Sequence, residues 1–168
     1  KESSPPIIAY LSRTNDPYIY AEIGAWLAQH THHARDLQTM WSPSTDHLDA
    51  PLALPSAILG NSDAIATLGD ALASGDIALE TNFMAAIGGS GVTGLIPYLQ
   101  RGEDEAEHEL TLAYSAARLG LGDSSAASTF KQAITGSNAE YALEAIDYLV
   151  AIPSAEATQL LRKAQASS

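Results

Sequence analysis

The sequence contains no cysteine, which excludes disulfide bonds, a thiolate nucleophile and cysteine ligands for a metal. Basic residues are scarce as well: eight Lys and Arg stand against 20 Asp and Glu, which gives a formal net charge of −12. Proteins bind nucleic acids through clustered basic side chains that replace counterions, so this composition predicts no nucleic-acid binding. It favours a basic protein or peptide as the partner.

Hydrophobic runs in this sequence are short. No apolar segment approaches the roughly 18 residues that a helix needs to cross a bilayer, so we predict no membrane span. No signal peptide is recognisable, and the first residue is Lys1 rather than Met. We therefore expect a soluble protein that is either cytoplasmic or exported after removal of a signal peptide.

Phe and Trp are scarce, with two of each among 168 residues. The hydrophobic share of 46% comes heavily from Ala and Leu, which suit close packing of helices better than they suit β-sheets. The chain is also long enough to bury a sizeable core. These features predict an all-α protein in which residues 1–168 form a single domain.

Helical hairpins recur along the chain. The clearest spans Leu95 to Gly120: an apolar periodic segment is predicted to break at Gly102 in an acidic turn and to resume as a helix up to Gly120. Similar turns follow Leu72 and Ile134, at intervals of about 27 to 35 residues. Because one hairpin cannot bury its apolar face alone, we predict an α-solenoid of about five stacked helix pairs and a terminal helix. A tetratricopeptide-like array is the alternative architecture.

Local signals predict several helix boundaries. Asp16-Pro17 provides a capping residue and a first-turn proline for a helix that runs to about His30. Ser62 or Asp63 is expected to cap another helix. The segment from Asp49 to Leu59 is predicted to form a helix that Pro55 kinks or interrupts, with Leu59 facing inward. Ala139 to Ile152 is predicted to form a helix with Leu143 facing inward.

Three segments share a short first helix, a turn, an Ala-rich second helix and a Gly-containing loop: Ser62 to Gly88, Val92 to Gly120 and Ser124 to Ile152. This pattern resembles HEAT-like repeats of the compact bacterial kind, the type named after phycobilisome lyases. The consensus arginine of the second helix is mostly missing near the expected positions, and no lyase activity is inferred. The resemblance implies an α-solenoid that acts as a non-enzymatic adaptor for other proteins.

In such arrays the second helices of successive pairs line the concave face, so the resemblance implies a ladder of binding residues there. On this chain the ladder is acidic with aromatic residues among the acids, which is a composition typical of protein interfaces. The acidic run Glu103 to Glu109 is expected to lie in an exposed turn. The predicted binding residues are Glu22, Trp41, Glu80, Asn82, Glu107, His108, Glu109, Glu140, Tyr141 and Glu144.

A G-x-G-x-x-G motif spans Gly89 to Gly94 and resembles a dinucleotide-binding loop. That motif requires a β-strand before it and a second strand after its helix, whereas both flanking regions here have helical patterns. We interpret it as a loop between repeats that needs glycine for its backbone angles. The sequence also has no G-x-S-x-G elbow and no identifiable Ser/His/Asp set, so we predict no enzymatic activity and no cofactor.

Histidines are concentrated in one region, where His30, His32 and His33 precede Asp36 and Asp46-His47. Imidazole and carboxylate groups are suitable ligands for zinc or nickel, although no H-E-x-x-H spacing is present. We predict no metal site, because a solvated helix end also accounts for these residues. A small-molecule or metal-binding protein with its site at His30 to Asp49 is the alternative function.

Overall fold

The computed structural model describes residues 16–29, 47–75, 78–79, 81–107, 110–152 and 154–166. Within these ranges the chain forms nine α-helices and no strand, so the prediction of an all-α protein is confirmed for the described residues. Short 3₁₀ segments at His47–Ala53, Thr93–Leu95 and Ser124–Ala126 lead into three of the helices. The α-helices are α1 (Pro17–Gln29), α2 (Leu54–Ile58), α3 (Ser62–Ser74), α4 (Thr81–Gly89), α5 (Ile96–Glu105), α6 (Thr111–Gly120), α7 (Ala127–Thr135), α8 (Ala139–Ala151) and α9 (Ala155–Ala166).

The helices pack in two layers that alternate along the chain. In one layer α1 packs against α4, α4 against α6, and α6 against α8, while α8 also reaches α4. In the other layer α3 packs against the 3₁₀ segment His47–Ala53 and against α5, and α7 packs against α9. The layers are joined by the consecutive pairs α5–α6 and α7–α8. One continuous hydrophobic core, which extends from Tyr20 to Leu160, lies between them.

Two helices of the first layer, α4 and α6, approach closely because glycine occupies their crossing point. A Cβ atom added at Gly120 in α6 would lie 2.6 Å from the Cα atom of Gly88 in α4, which is closer than real Cβ atoms come to backbone. Backbones that cross at this distance leave no room for any side chain. The α4–α6 interface therefore depends on glycine at both positions.

The predicted break at Gly102 is wrong. Helix α5 continues through Gly102 and ends at Glu105, with Ala106 as its C-cap. A Cβ atom at Gly102 would lie 2.5 Å from the ring of Tyr114, whose hydroxyl donates a hydrogen bond of 2.7 Å to the backbone carbonyl of Leu72. The glycine therefore makes room for a buried tyrosine, and it does not start a turn.

Several predicted boundaries are confirmed. Helix α1 begins at Pro17 and ends at Gln29, and the Asp16 carboxylate accepts a hydrogen bond of 3.0 Å from the backbone N–H of Tyr18. The loop at the G-x-G-x-x-G motif follows a helix and not a strand, and Gly91 has a φ of 72°, a conformation that favours glycine. This part of the chain therefore lacks the strand that a dinucleotide-binding loop requires.

Two other boundaries differ from the prediction. The N-cap of α3 is Asn61, not Ser62 or Asp63, because the Asn61 side-chain oxygen accepts hydrogen bonds from the second and third backbone N–H groups of the helix. The segment from Asp49 to Leu59 forms a 3₁₀ helix and a separate α-helix, α2. Pro55 lies in the first turn of α2, where a missing N–H costs no helical hydrogen bond.

Two leucines predicted to face inward are exposed. Leu59 lies in the turn that follows α2 and is 45% exposed, because the helix has already ended at Ile58. Leu143 is 64% exposed, because α8 buries Ala145, Tyr148 and Leu149, which lie on the other side of the helix at about 100° per residue. Among the described residues, no helix is long and apolar enough to cross a membrane.

Candidate functional site

Part of the predicted binding set lies outside the described residues: Trp41, Glu80, His108 and Glu109. The histidines of the alternative site, from His30 to His33, lie outside them as well. Where the structure is described, no group of three or more His, Asp or Glu side chains is arranged to hold a metal ion. The remaining predicted residues fall into two groups.

The first group joins α1 to α4. The Asn82 side-chain amide donates a hydrogen bond of 3.2 Å to the Glu22 carboxylate, although the two residues are 60 positions apart in the sequence. Both side chains are exposed. This contact places two of the predicted residues side by side on neighbouring helices.

The second group surrounds a cavity of about 340 Å³ between α6, α7 and α8, which we name the polar cleft. Hydroxyl and amide side chains form most of its lining. The Asn138 side chain also caps α8 by accepting hydrogen bonds of 3.1 Å from the backbone N–H groups of Glu140 and Tyr141. The polar side chains of the cleft are Thr111, Thr129, Gln132, Ser137, Asn138 and Tyr141.

Carboxylates stand close to the polar cleft. The Thr111 hydroxyl donates a hydrogen bond of 3.4 Å to the backbone carbonyl of Glu107, which places Glu107 beside the cleft. The pKa of the Tyr141 hydroxyl is raised by burial and then by the negative charges of Glu144 and Glu103, so both carboxylates act on the cleft wall. Glu140 directly precedes Tyr141 on α8. Of the predicted residues, Tyr141 lines the cleft, Glu144 acts on the Tyr141 hydroxyl, and the backbone of Glu107 lies next to Thr111.

A buried ion network lies beneath the cleft, and sequence reasoning missed it. The Arg118 guanidinium, on α6, pairs with the carboxylates of Glu103 and Asp123, the second at 2.7 Å. The Arg118 side chain is 9% exposed and that of Glu103 is 10% exposed. The expectation that Glu103 belongs to an exposed turn is therefore wrong, because α5 extends past it and buries it against α6.

Hydroxyl groups complete the network. Ser115 donates a hydrogen bond of 2.5 Å to Glu103, and Thr129, which also lines the polar cleft, lies 3.4 Å from the same carboxylate oxygen. Ser125 donates to Asp123 at 2.6 Å and accepts from Arg118 at 2.9 Å. The network therefore connects α5, α6 and α7 and fixes the wall of the cleft.

The ion pairs change the acidity of the groups they join. Burial raises the pKa of the Asp123 carboxyl, but hydrogen bonds from Ser125 and Arg118 and the positive charge of Arg118 outweigh it, so the pKa lies below the ordinary value. Burial lowers the pKa of Arg118, and its bonds to Asp123 and Glu103 reverse that effect, so the net shift is upward. Arg118 and Asp123 therefore stay charged at neutral pH.

One feature of the sequence could have predicted this network. Arg118 is the only charged residue in TLAYSAARLG, a stretch of small and apolar residues that forms α6. A lone arginine on a helix that is apolar all round must find carboxylate partners from other elements. The acidic run before the helix and Asp123 after it supply those partners.

The residues that line the polar cleft carry no charge. Its side chains offer hydroxyl and amide groups, with carboxylates at the edge, and this combination accepts hydrogen bonds from cationic donors. Comparison with known proteins gives no family model that matches the chain, and no curated protein or solved structure with significant similarity to it.

Proposed function

We propose that this chain is a non-enzymatic, solenoid-like scaffold that binds a basic peptide segment of a partner protein along its acidic surface, with the polar cleft as the main contact. The observation that carries the proposal is that Tyr141 lines the polar cleft under the negative charge of Glu144, while Thr111, another lining residue, is hydrogen-bonded to the backbone of Glu107. These residues come from two separate helix pairs.

The packing of the helices supports a scaffold. Helices α4, α6 and α8 follow one another in one layer, as they would in a stacked array of helix pairs. Such arrays present an extended surface on which a ligand contacts several repeats at once. Glu22 and Asn82, which are hydrogen-bonded across α1 and α4, would belong to the same surface.

Charge supports a basic partner. The formal net charge of −12 creates a negative field that attracts cationic segments and speeds their association. Within the cleft, an arginine or lysine of the partner would donate hydrogen bonds to hydroxyl and amide oxygens while its charge faces Glu107 and Glu144. The ion network serves a structural role in this proposal, because Arg118 already occupies the carboxylates of Glu103 and Asp123.

The proposal is tested by titrating the protein with a short peptide in which Arg residues alternate with Gly and Ala, and with its counterpart that carries Glu in place of Arg. We expect binding of the basic peptide only, and binding that weakens several-fold as NaCl rises from about 50 to about 300 mM. The double variant Glu107→Gln/Glu144→Gln should weaken this binding about ten-fold, since Glu144 acts on the Tyr141 hydroxyl in the cleft wall and Glu107 adjoins Thr111.

A matched control removes the same charge elsewhere. Asp70 and Glu156 are exposed carboxylates that do not line the polar cleft. The double variant Asp70→Asn/Glu156→Gln should weaken peptide binding by less than about two-fold. Equal losses in the two double variants would mean that only net charge matters, and equal binding of both peptides would refute the proposal.

A further inference from the structure

A second cavity opens between α7, α8 and α9, with a volume of about 550 Å³, and we name it the lysine groove. Its floor is apolar, and two of its walls end in lysine side chains. The residues that define it are Lys131, Ile134, Ala142, Ile146, Leu160 and Lys163. Its volume falls within the range of about 300 to 1,000 Å³ that is typical of small-molecule sites.

Most of the lysines of this chain lie in the lysine groove. The sequence contains three lysines in total, and two of them, Lys131 and Lys163, line this one groove. The same two lysines also line a smaller cavity of about 180 Å³ on the other side, together with Glu156 and Gln159 of α9. The ammonium groups therefore stand between an apolar groove and a smaller, more polar space.

Helix α7 separates the lysine groove from the polar cleft. Thr129, Gln132 and Ala133 line the cleft, whereas Lys131 and Ile134 line the groove. At about 100° per residue these two sets lie on opposite sides of the helix. The lysines therefore lie in the groove and not in the cleft, whose lining is uncharged, and the groove does not depend on the function proposed for the cleft.

We infer that the lysine groove binds a small amphipathic carboxylate of the fatty-acid type, with its alkyl chain on Ile134, Ile146 and Leu160 and its carboxylate between Lys131 and Lys163. An apolar floor removes the alkyl chain from water, and two ammonium groups satisfy one carboxylate. Glu156 is the acidic residue that lines the adjoining space, and it keeps the local charge low enough to select a monoanion.

Other occupants fit these observations less well. Anionic membranes are recognised by clusters of about four to eight basic residues, and the net charge of −12 opposes such binding. A bound helix needs a row of apolar anchors over several turns, whereas the groove is a single cavity that α9 borders on one side. The chemistry of the groove therefore favours a short single-chain amphiphile.

The test is an amide NMR titration of the full chain with decanoate, kept below its micelle concentration. We expect saturable shifts at Ile134, Ile146 and Leu160, and binding at least about ten-fold tighter than that of decanol or acetate. The double variant Lys131→Ala/Lys163→Ala should weaken decanoate binding about five-fold, since each exposed ion pair contributes up to about that factor.

Matched variants distinguish binding in the lysine groove from a general effect of positive charge or apolar surface elsewhere on the protein. Arg101→Ala/Arg162→Ala removes two exposed positive charges that do not line the groove, and it should change decanoate binding by less than about two-fold. Ile146→Gln should weaken binding, whereas Val150→Gln, one turn further along α8 and outside the groove, should not.

The inference is overturned if decanoate and decanol bind equally, if the shifts lie outside the groove, or if both charge variants weaken binding alike. A short Leu-rich peptide with a free carboxyl terminus serves as the competing probe. If it binds about ten-fold tighter than decanoate, the occupant is a peptide terminus and the fatty-acid assignment fails. Failure of decanoate binding leaves the basic-peptide titration unaffected, so the two proposals fail separately.

Discussion

Helices α6 and α8 are neighbours in one layer, yet they are built differently. Every residue of α6 from Leu112 to Leu119 is buried, including Arg118. In α8 only Ala145, Tyr148 and Leu149 are buried, although the helix is longer. Both helices contact four others, but α6 lies between α4 and α8 within its layer, whereas α8 is the last helix of that layer among the described residues.

Within one layer, α6 therefore contributes mainly to stability, whereas α8 has a side that is available for binding. A helix with neighbours on every side needs small and apolar residues, and any charge on it must be paired. A helix with an open side can carry residues that contact ligands, and α8 borders the polar cleft through Tyr141 and the lysine groove through Ile146. Substitutions in α6 should therefore reduce stability, while substitutions on the open side of α8 should change binding.

The largest effect is expected from Arg118→Met. This variant leaves the carboxylates of Glu103 and Asp123 poorly solvated and without their cation. Because removal of one partner from a buried ion pair costs about 3–5 kcal/mol, we expect the free energy of unfolding to fall by about that amount. Chemical denaturation monitored by circular dichroism measures the loss.

Arg101→Met is the matched control for Arg118→Met. Arg101 pairs with Asp70 at 3.4 Å, but the two side chains are 54% and 62% exposed, so water screens the pair. We expect a change of about 0–1 kcal/mol for this variant. Similar losses for the two arginines would show that Arg118 does not stabilise the α5–α6–α7 junction.

The next effect is expected from Gly120→Ala. The new Cβ atom would lie 2.6 Å from the backbone of Gly88, so α4 and α6 must move apart, at a cost of about 2 kcal/mol. Gly94→Ala is the control, because its Cβ atom would lie 3.5 Å from Ile65, an ordinary contact distance. The thermal midpoint of unfolding should fall in the first variant only, and an unchanged midpoint for Gly120→Ala would contradict the crossing of the two backbones.

The fold was predictable from the sequence where local signals are strong. The capping pair Asp16-Pro17 and the bounds of α8 and α9 follow from residues within one turn of each helix end. The all-α class follows in the same way from the Ala-rich composition. Local chemistry determines these features, so no knowledge of the packing is needed.

The errors arise where packing overrides local signals. Gly102 reads as a helix breaker, but its partner is Tyr114, twelve residues away and on another helix. Leu143 fits an inward helical stripe, but no described neighbour covers that side of α8. At the candidate sites, the sequence predicted acidic residues on the surface. It could not predict the Arg118 network or the lysine groove, because both are formed by residues from several helices and depend on which helices pack together.

A smaller loss of stability is expected when the pH is lowered. The folded pKa of Asp123 lies below its ordinary value of about 3.9. Its contribution to stability is therefore fully present above that value and is lost as the pH falls through the folded pKa. Unfolding midpoints in urea, measured between about pH 6 and pH 2, should decline less steeply in Asp123→Asn than in the unmodified protein. Ser125→Ala, which removes one hydrogen-bond donor, should give an intermediate slope, and identical slopes would exclude Asp123 as a source of acid sensitivity.

The smallest effect is expected on the open side of α8. Val150 is 71% exposed, so Val150→Gln removes no packing contact with the core and should change the free energy of unfolding by no more than about 0.5 kcal/mol. Leu149→Ala, at the adjacent position of the same helix, should cost about 2–5 kcal/mol because that side chain is fully buried. If Val150→Gln were as damaging as Leu149→Ala, α8 would be enclosed like α6, and a further partner would have to cover it in solution.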